Sequence, residues 1–173
     1  MSELYDNHTV PTYDGDTDEW SHTTFSNREE FANYLTTIFK EPGQYDFDQV
    51  SLKFNEQGKY FLAKGFYCSK PFKSKDFLDY WNKEKEKNRK GVIFKSKGKQ
   101  WYLCREYYMW LNFLPIYDKS KKKYTFPEIY DTQYHMALYE FIAELKYLHA
   151  SVLKKRQIAS EQPEYMPVLT TKG

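Results

Sequence analysis

Apolar positions return every three or four residues along several stretches of this chain, and that spacing predicts helices. The first follows Ser26-Asn-Arg-Glu29, a capping-box pattern. Phe31, Tyr34, Leu35, Ile38 and Phe39 form its stripe, and Pro42-Gly43 stops it. A second helix is expected from Ser74 to about Asn88, with Phe77, Tyr80 and Trp81 on one side. Its tail, Lys83-Glu-Lys-Glu-Lys-Asn-Arg-Lys90, reads as a solvated mixed-charge face that Gly91 ends. A short aromatic helix is expected over Arg105–Leu114, before Pro115. A longer one spans about Thr132 to Leu148, with Asp131 as N-cap and Tyr134, Leu138, Phe141, Ile142, Leu145 and Leu148 as its core stripe.

Strand patterns fill the gaps. Val92-Ile-Phe94 and Gln100-Trp-Tyr-Leu-Cys104 flank Lys95-Ser-Lys-Gly-Lys99, which predicts a hairpin. Residues 49–68 read as short strands around Asn55-Glu-Gln-Gly58, and 150–156 as a buried strand. Residues 1–25 are expected to form an acidic arm, 26–123 an α+β region, and 161–173, with Pro163 and Pro167, a loose tail.

Composition narrows the classes. With 173 residues the chain can build one domain with a real core. Aromatics make up 20% of it, which argues for a packed core or an adhesive surface and against disorder. No apolar run approaches the roughly 18 residues of a membrane span. The start, Met1-Ser-Glu-Leu-Tyr-Asp, has neither the basic nor the apolar part of a signal peptide, so a cytoplasmic protein is expected. Cys68 and Cys104 are far apart, without metal-ligand spacing, and read as reduced thiols. Asp14, Asp16 and Asp18 mimic the start of a calcium loop, but Glu19 and Phe25 stand where glycine and glutamate are needed. No metal site is expected.

Charge is unevenly spread. Residues 1–52 carry a net −9, residues 53–123 a net +12, and the remainder −1. The basic middle, with the loop Lys119-Ser-Lys-Lys-Lys123, suits phosphate, an acidic partner, the chain's own acidic N-terminus or plain solvent.

One segment points to phosphate chemistry. A phosphate loop needs a strand ending in a turn of backbone N–H groups, a following helix, a cation, and a Ser/Thr for magnesium. Ala150–Leu153 runs into Lys154, Lys155, Arg156 and Gln157, although the Gly-Lys-[Ser/Thr] ending is replaced by Ala159, Ser160 and Glu161. Alone, this run also fits a strand end with solvated charges. Gln133 lies 23 residues before Arg156, at a helix start. Together, Trp101-Tyr-Leu-Cys-Arg-Glu-Tyr-Tyr108, Asp131-Thr-Gln-Tyr134 and Val152-Leu-Lys-Lys-Arg-Gln157 resemble the beginning of the ATPase domain of tailed-bacteriophage terminase large subunits. The upstream part looks like the N-terminal region of a divergent phage branch, which takes the likeness to residues 11–160.

The resemblance implies an α/β fold, with an α+β region leading into the first strand and helix of an incomplete P-loop ATPase-type domain over 124–160. It implies that Gln133 reads adenine and that Arg156 and Gln157 occupy the paired Arg-Gln place of the phosphate loop. Lys154 and Lys155 would supply charge that Ser160 cannot, and Glu161 departs from the magnesium-holding Ser/Thr. The complete family protein is an ATP- and Mg-dependent motor and endonuclease. It packages viral double-stranded DNA with the portal and the small terminase subunit, in the cytoplasm of the infected bacterial host. Walker B and nuclease segments are absent from these residues, so an N-terminal portion inactive by itself is expected. The alternatives are a module that binds nucleic acid or packaging proteins without ATPase activity, and a structural protein of other ancestry.

Overall fold

The computed structural model describes residues 8–48, 50, 54–153 and 166–171. In chain order the elements are β1 (Thr9–Asp14), β2 (Glu19–Thr24), α1 (Arg28–Ile38), α2 (Glu56–Lys64), α3 (Lys75–Lys90), β3 (Val92–Ser96) and β4 (Lys99–Leu103). They continue with α4 (Arg105–Phe113), β5 (Ile116–Asp118), β6 (Lys123–Thr125), α5 (Asp131–Leu145), β7 (Leu148–Leu153) and β8 (Met166–Thr171). The fold is mixed α/β, as expected. No helix among the described residues is long and apolar enough to cross a membrane.

Two compact units interleave along the chain. The first draws on the described residues of Met1–Thr9, Thr24–Tyr45 and Tyr130–Gly173. Its centre is the pairing of α1 with α5, where Phe31, Leu35, Leu138, Phe141 and Ile142 are buried. The ends of both helices are tied. Arg28, in the first turn of α1, donates to the backbone carbonyls of Glu144 and Leu145 and lies 3.9 Å over the Tyr147 ring. At the other end, the Asp131 carboxylate accepts from the backbone N–H of Gly43 at 2.6 Å and of Tyr45 at 3.4 Å. Asp131 is therefore the first residue of α5 rather than its N-cap, which is Tyr130. The carboxylate serves the chain leaving α1 while still favouring the helix N-terminus.

The cap of α1 also sits one residue later than the sequence suggested. Asn27 accepts from the Glu30 N–H at 2.9 Å, and Glu30 accepts from the Ser26 N–H at 2.6 Å. Asparagine is as strong a cap as serine, and Glu30, three residues after it, reaches back to the residue before the cap.

The second unit comprises Val10–Thr23 and Asp46–Ile129. Its sheet has the order β2-β1-β3-β4, with β1 parallel to β3 (Thr12 opposite Ile93) and β3 antiparallel to β4 (Phe94 opposite Trp101). The expected acidic arm is thus largely a hairpin, and Val10 and Tyr13 are buried in it. The acidic turn supports the sheet. Asp14 accepts from the N–H of Asp16, while Asp16 accepts from the Ser96 hydroxyl and the Lys97 N–H. The predicted β3–β4 hairpin turns through Lys97 and Gly98, both at positive φ (49° and 72°), the conformation of a two-residue turn.

Residues 56–64, expected as strand, are helical. Gly58 was read as a turn signal, but a Cβ there would lie 2.4 Å from the Phe126 ring. The glycine is needed for that close approach. Gly65, at φ 79°, ends α2 with its N–H on the Phe61 carbonyl.

The mixed-charge tail of α3 is not wholly solvated. Glu84 is 2% exposed. Its carboxylate accepts from Lys87 Nζ at 2.6 Å and from the Tyr108 hydroxyl of α4 at 2.8 Å. Lys87 in turn sits 4.1 Å over the Trp20 ring. Gly91 closes α3 at φ 72°, where a Cβ would meet the Leu103 carbonyl at 2.5 Å.

Two readings near the C-terminus change. The strand expected over 150–156 is β7, with His149, Ala150 and Ser151 exposed rather than buried. The tail expected to be loose supplies β8, which pairs antiparallel to β7 with Ala150 opposite Leu169.

Gly58→Ala should lower stability by about 1–3 kcal/mol, because overpacking against Phe126 outweighs the gain in helix propensity. Denaturant unfolding checks this, and Phe126→Leu in the same chain should recover part of the loss. An unchanged midpoint would contradict the packing argument.

His135 of α5 is 2% exposed, with the Tyr45 hydroxyl 3.2 Å from Nδ1 and the Phe39 ring at 4.4 Å. Burial holds its imidazole below the ordinary value of 6.5, against the Lys40 backbone and the charges of Asp131 and Glu41. The unfolded chain then takes the proton first. Its contribution to stability is full above about pH 7 and falls as pH drops through 6.5 toward the lower folded-state value. Denaturation midpoints between about pH 7.5 and pH 5 should fall less steeply for His135→Gln. Equal slopes would remove His135 from the account.

Candidate nucleic-acid interface

Helix α4 ends at Phe113, and Pro115 prevents its continuation. The chain then forms a narrow ribbon of β5 and β6, with Ile116 opposite Thr125, Tyr117 opposite Tyr124 and Asp118 opposite Lys123. A two-stranded ribbon this short is marginal alone. It is anchored where β6 runs directly into Phe126, which is buried against Gly58.

Alternation puts Tyr117 and Tyr124 on one face as a directly opposed pair. Their ring centroids are 5.5 Å apart at 73°, an edge-to-face pair, yet the two residues are 54% and 61% exposed. Exposed tyrosines that brace one another present a fixed aromatic surface to solvent. Between the strands runs the basic loop of Lys119, Ser120, Lys121 and Lys122, and Lys123 follows in β6. All four lysines are exposed.

Asp118 is the acid of this ribbon, and it is committed to the turn. Its carboxylate accepts from the Ser120 hydroxyl at 2.6 Å, the Ser120 N–H at 2.9 Å and the Lys121 N–H at 3.0 Å. The Ser120 hydroxyl and the Lys121 N–H hold the carboxyl down to about 2. It remains ionised at neutral pH and is no general base. Lys121 Nζ stands 3.5 Å from it. Residues 116–125 carry four lysines and one aspartate, so the ribbon keeps a net +3. Lys122, at φ 49°, turns the loop back into β6.

The groups that this arrangement exposes are of a kind that makes contacts. Ammonium groups suit phosphates, the tyrosine rings suit stacking on bases, and a two-stranded ribbon has the width of a DNA major groove. Elsewhere in this unit the basic segment partly meets the chain's own acids, as Lys99 does with Asp46 at 2.6 Å.

Of the nucleotide-site residues inferred from sequence, Gln133 alone lies within the described structure. Gln133 lies in the first turn of α5 and is exposed. Lys154, Lys155, Arg156, Gln157 and Ser160, with Glu161, lie outside the described residues. The strand that would feed a phosphate loop, β7, is paired antiparallel to the chain's own β8.

Sequence reasoning registered the basic loop but missed Tyr117 and Tyr124. The signal was present: Ile-Tyr-Asp and Lys-Tyr-Thr flank a turn opened by Asp118 and Ser120. Cys104 is buried and its thiol is pushed up to about 12, while Cys68 is half-buried. Comparison with family models, with curated proteins and with solved structures gives no match for this chain.

Proposed function

We propose that this chain is a nucleic-acid-binding module without catalysis of its own, acting in the packaging of viral double-stranded DNA. The observation that carries the binding half is the ribbon 116–125. It combines an exposed, mutually braced tyrosine pair with four exposed lysines, and its single carboxylate is engaged within the turn.

The packaging half rests on the resemblance of residues 101–160 to terminase large subunits. Under that reading the partners are the DNA, the portal and the small terminase subunit, in the infected bacterial cytoplasm. ATP with Mg would drive the complete motor. Of the residues that the resemblance gives to that nucleotide, only Gln133 lies within the described structure, where it is exposed, and β7 pairs antiparallel with β8. No step through ATP is assigned to this chain.

Purified full-length chain should bind duplex DNA with a salt dependence set by the lysines it places on phosphates. Three to four contacts give a slope of log K against log salt of about −3 to −4. Lys122→Ala with Lys123→Ala should flatten the slope by about 2. Tyr124→Ala should weaken single-strand binding by roughly five- to a hundred-fold, the range for loss of one stacked base. Fluorescence anisotropy across a salt series reads all three. Binding insensitive to salt, or unchanged in the lysine pair, would refute the ribbon as the interface.

The same preparation should release no phosphate from ATP. Steady turnover abolished by Arg156→Ala would restore the motor reading instead.

A further inference from the structure

The turn that enters α3 presents a phenylalanine to solvent. Phe72 is 76% exposed, the highest value among the described large apolar side chains. Its place is set by the backbone. The Ser74 N–H donates to the Pro71 carbonyl at 3.0 Å, which closes a turn over 71–74 with Phe72 at its second position. Lys73, at φ 62°, takes the left-handed third position. Ser74 then caps α3, its hydroxyl accepting from the Phe77 N–H at 3.2 Å. The turn is thereby fastened to the start of a 16-residue helix.

One part of the ring is backed. Phe72 meets Phe77 edge-to-face at 5.4 Å, and ring contacts continue from Phe77 to Trp81 and from Trp81 to Phe113. Phe113 ends α4 three residues before the β5–β6 ribbon. Packed rings therefore run from the exposed turn to the root of the ribbon.

Cations surround this phenylalanine. Residues 57–75 carry five lysines and no carboxylate. Lys70, Lys73 and Lys75, all exposed, flank Phe72 on both sides in sequence, and Lys73 Nζ lies 5.5 Å from its ring centroid. The combination suits a polyanion with an apolar interior. Duplex DNA is one: phosphates line its outside, and an inserted side chain reaches the stacked bases. An anionic bilayer is the other, but lying in it takes a broad apolar face. The turn offers Phe72 and Pro71 among three lysines and Asp76, which is enough for a wedge and too little for an anchor.

We propose that Phe72 is a wedge that enters between neighbouring base pairs of duplex DNA, while Lys70, Lys73 and Lys75 hold the adjoining phosphates. The inference rests on the nucleic-acid reading of this unit and adds a deformation of the DNA to it. The ribbon supplies attraction, and the turn opens a base step. Apolar wedges unstack the step they enter and kink the duplex by roughly 20–90°. Steps that unstack easily, such as TA, are the preferred points of entry.

The full chain is titrated into a short duplex with 2-aminopurine at a central TA step and a donor and an acceptor dye at its two ends. Saturation should raise the 2-aminopurine emission, which reports unstacking, and bring the dyes closer. Phe72→Ala should lose both signals and leave the slope of log K against log salt unchanged, because no cation is removed. Phe72→Leu, still an apolar wedge, should keep them. Circular dichroism checks that both variants are folded. Lys73→Gly, which suits the left-handed position, should flatten the slope by about 1.

Saturable binding without a rise in emission, or a rise that Phe72→Ala does not alter, would overturn the wedge and leave the ribbon standing. Signals lost in Phe72→Ala beside a salt slope that Lys122→Ala with Lys123→Ala does not change would keep the wedge and refute the ribbon. Absence of duplex binding would overturn both. Sedimentation with anionic phospholipid vesicles that depends on Phe72, without unstacking of DNA, would make the turn a membrane contact and overturn the inference.

Discussion

The second unit is organised by the charge of Glu84. A carboxylate this deeply buried costs several kcal/mol of desolvation unless its oxygens are fully engaged. Each oxygen has its own donor, Lys87 from the same helix and Tyr108 from α4. The pair of bonds fixes the position of α4 against α3. It also sets the Tyr108 hydroxyl as an acceptor toward Gln57, so the orientation of an amide on α2 is decided by a charge on α3. Lys87 is placed by the same ion pair and by the Trp20 ring beneath it, which brings in the β1–β2 hairpin. One buried charge thus reaches three helices and the sheet.

The first unit is held differently. Hydrophobic stripes bring α1 and α5 together, but stripes alone tolerate sliding. Arg28 on the carbonyls closing α5 and Asp131 on the amides following α1 fix the two helices at both ends. Each group is charged, and each meets the helix end that its sign favours: the guanidinium lies at a C-terminus and the carboxylate at an N-terminus. The left-handed residue Tyr147, at φ 55°, then lets the chain turn sharply from α5 into β7.

Elements whose signal is local were legible in the sequence. The stripes of α1, α3 and α5 and the Lys97-Gly98 turn need no distant partner, and they appear within a few residues of their expected bounds. Elements set by a distant partner were not. Gly58 marks a turn in isolation, and only Phe126, 68 positions on, converts it to a helix contact. Glu84 sits in a run of charges that reads as solvent-facing, and its burial becomes tolerable when the distant Tyr108 joins Lys87 as a donor. The polar composition of residues 1–25 hid β1, because its buried face consists of a few side chains such as Val10 and Tyr13. The lysines of the ribbon were visible as composition. Its tyrosine pair was not, since pairing depends on a register that the turn fixes.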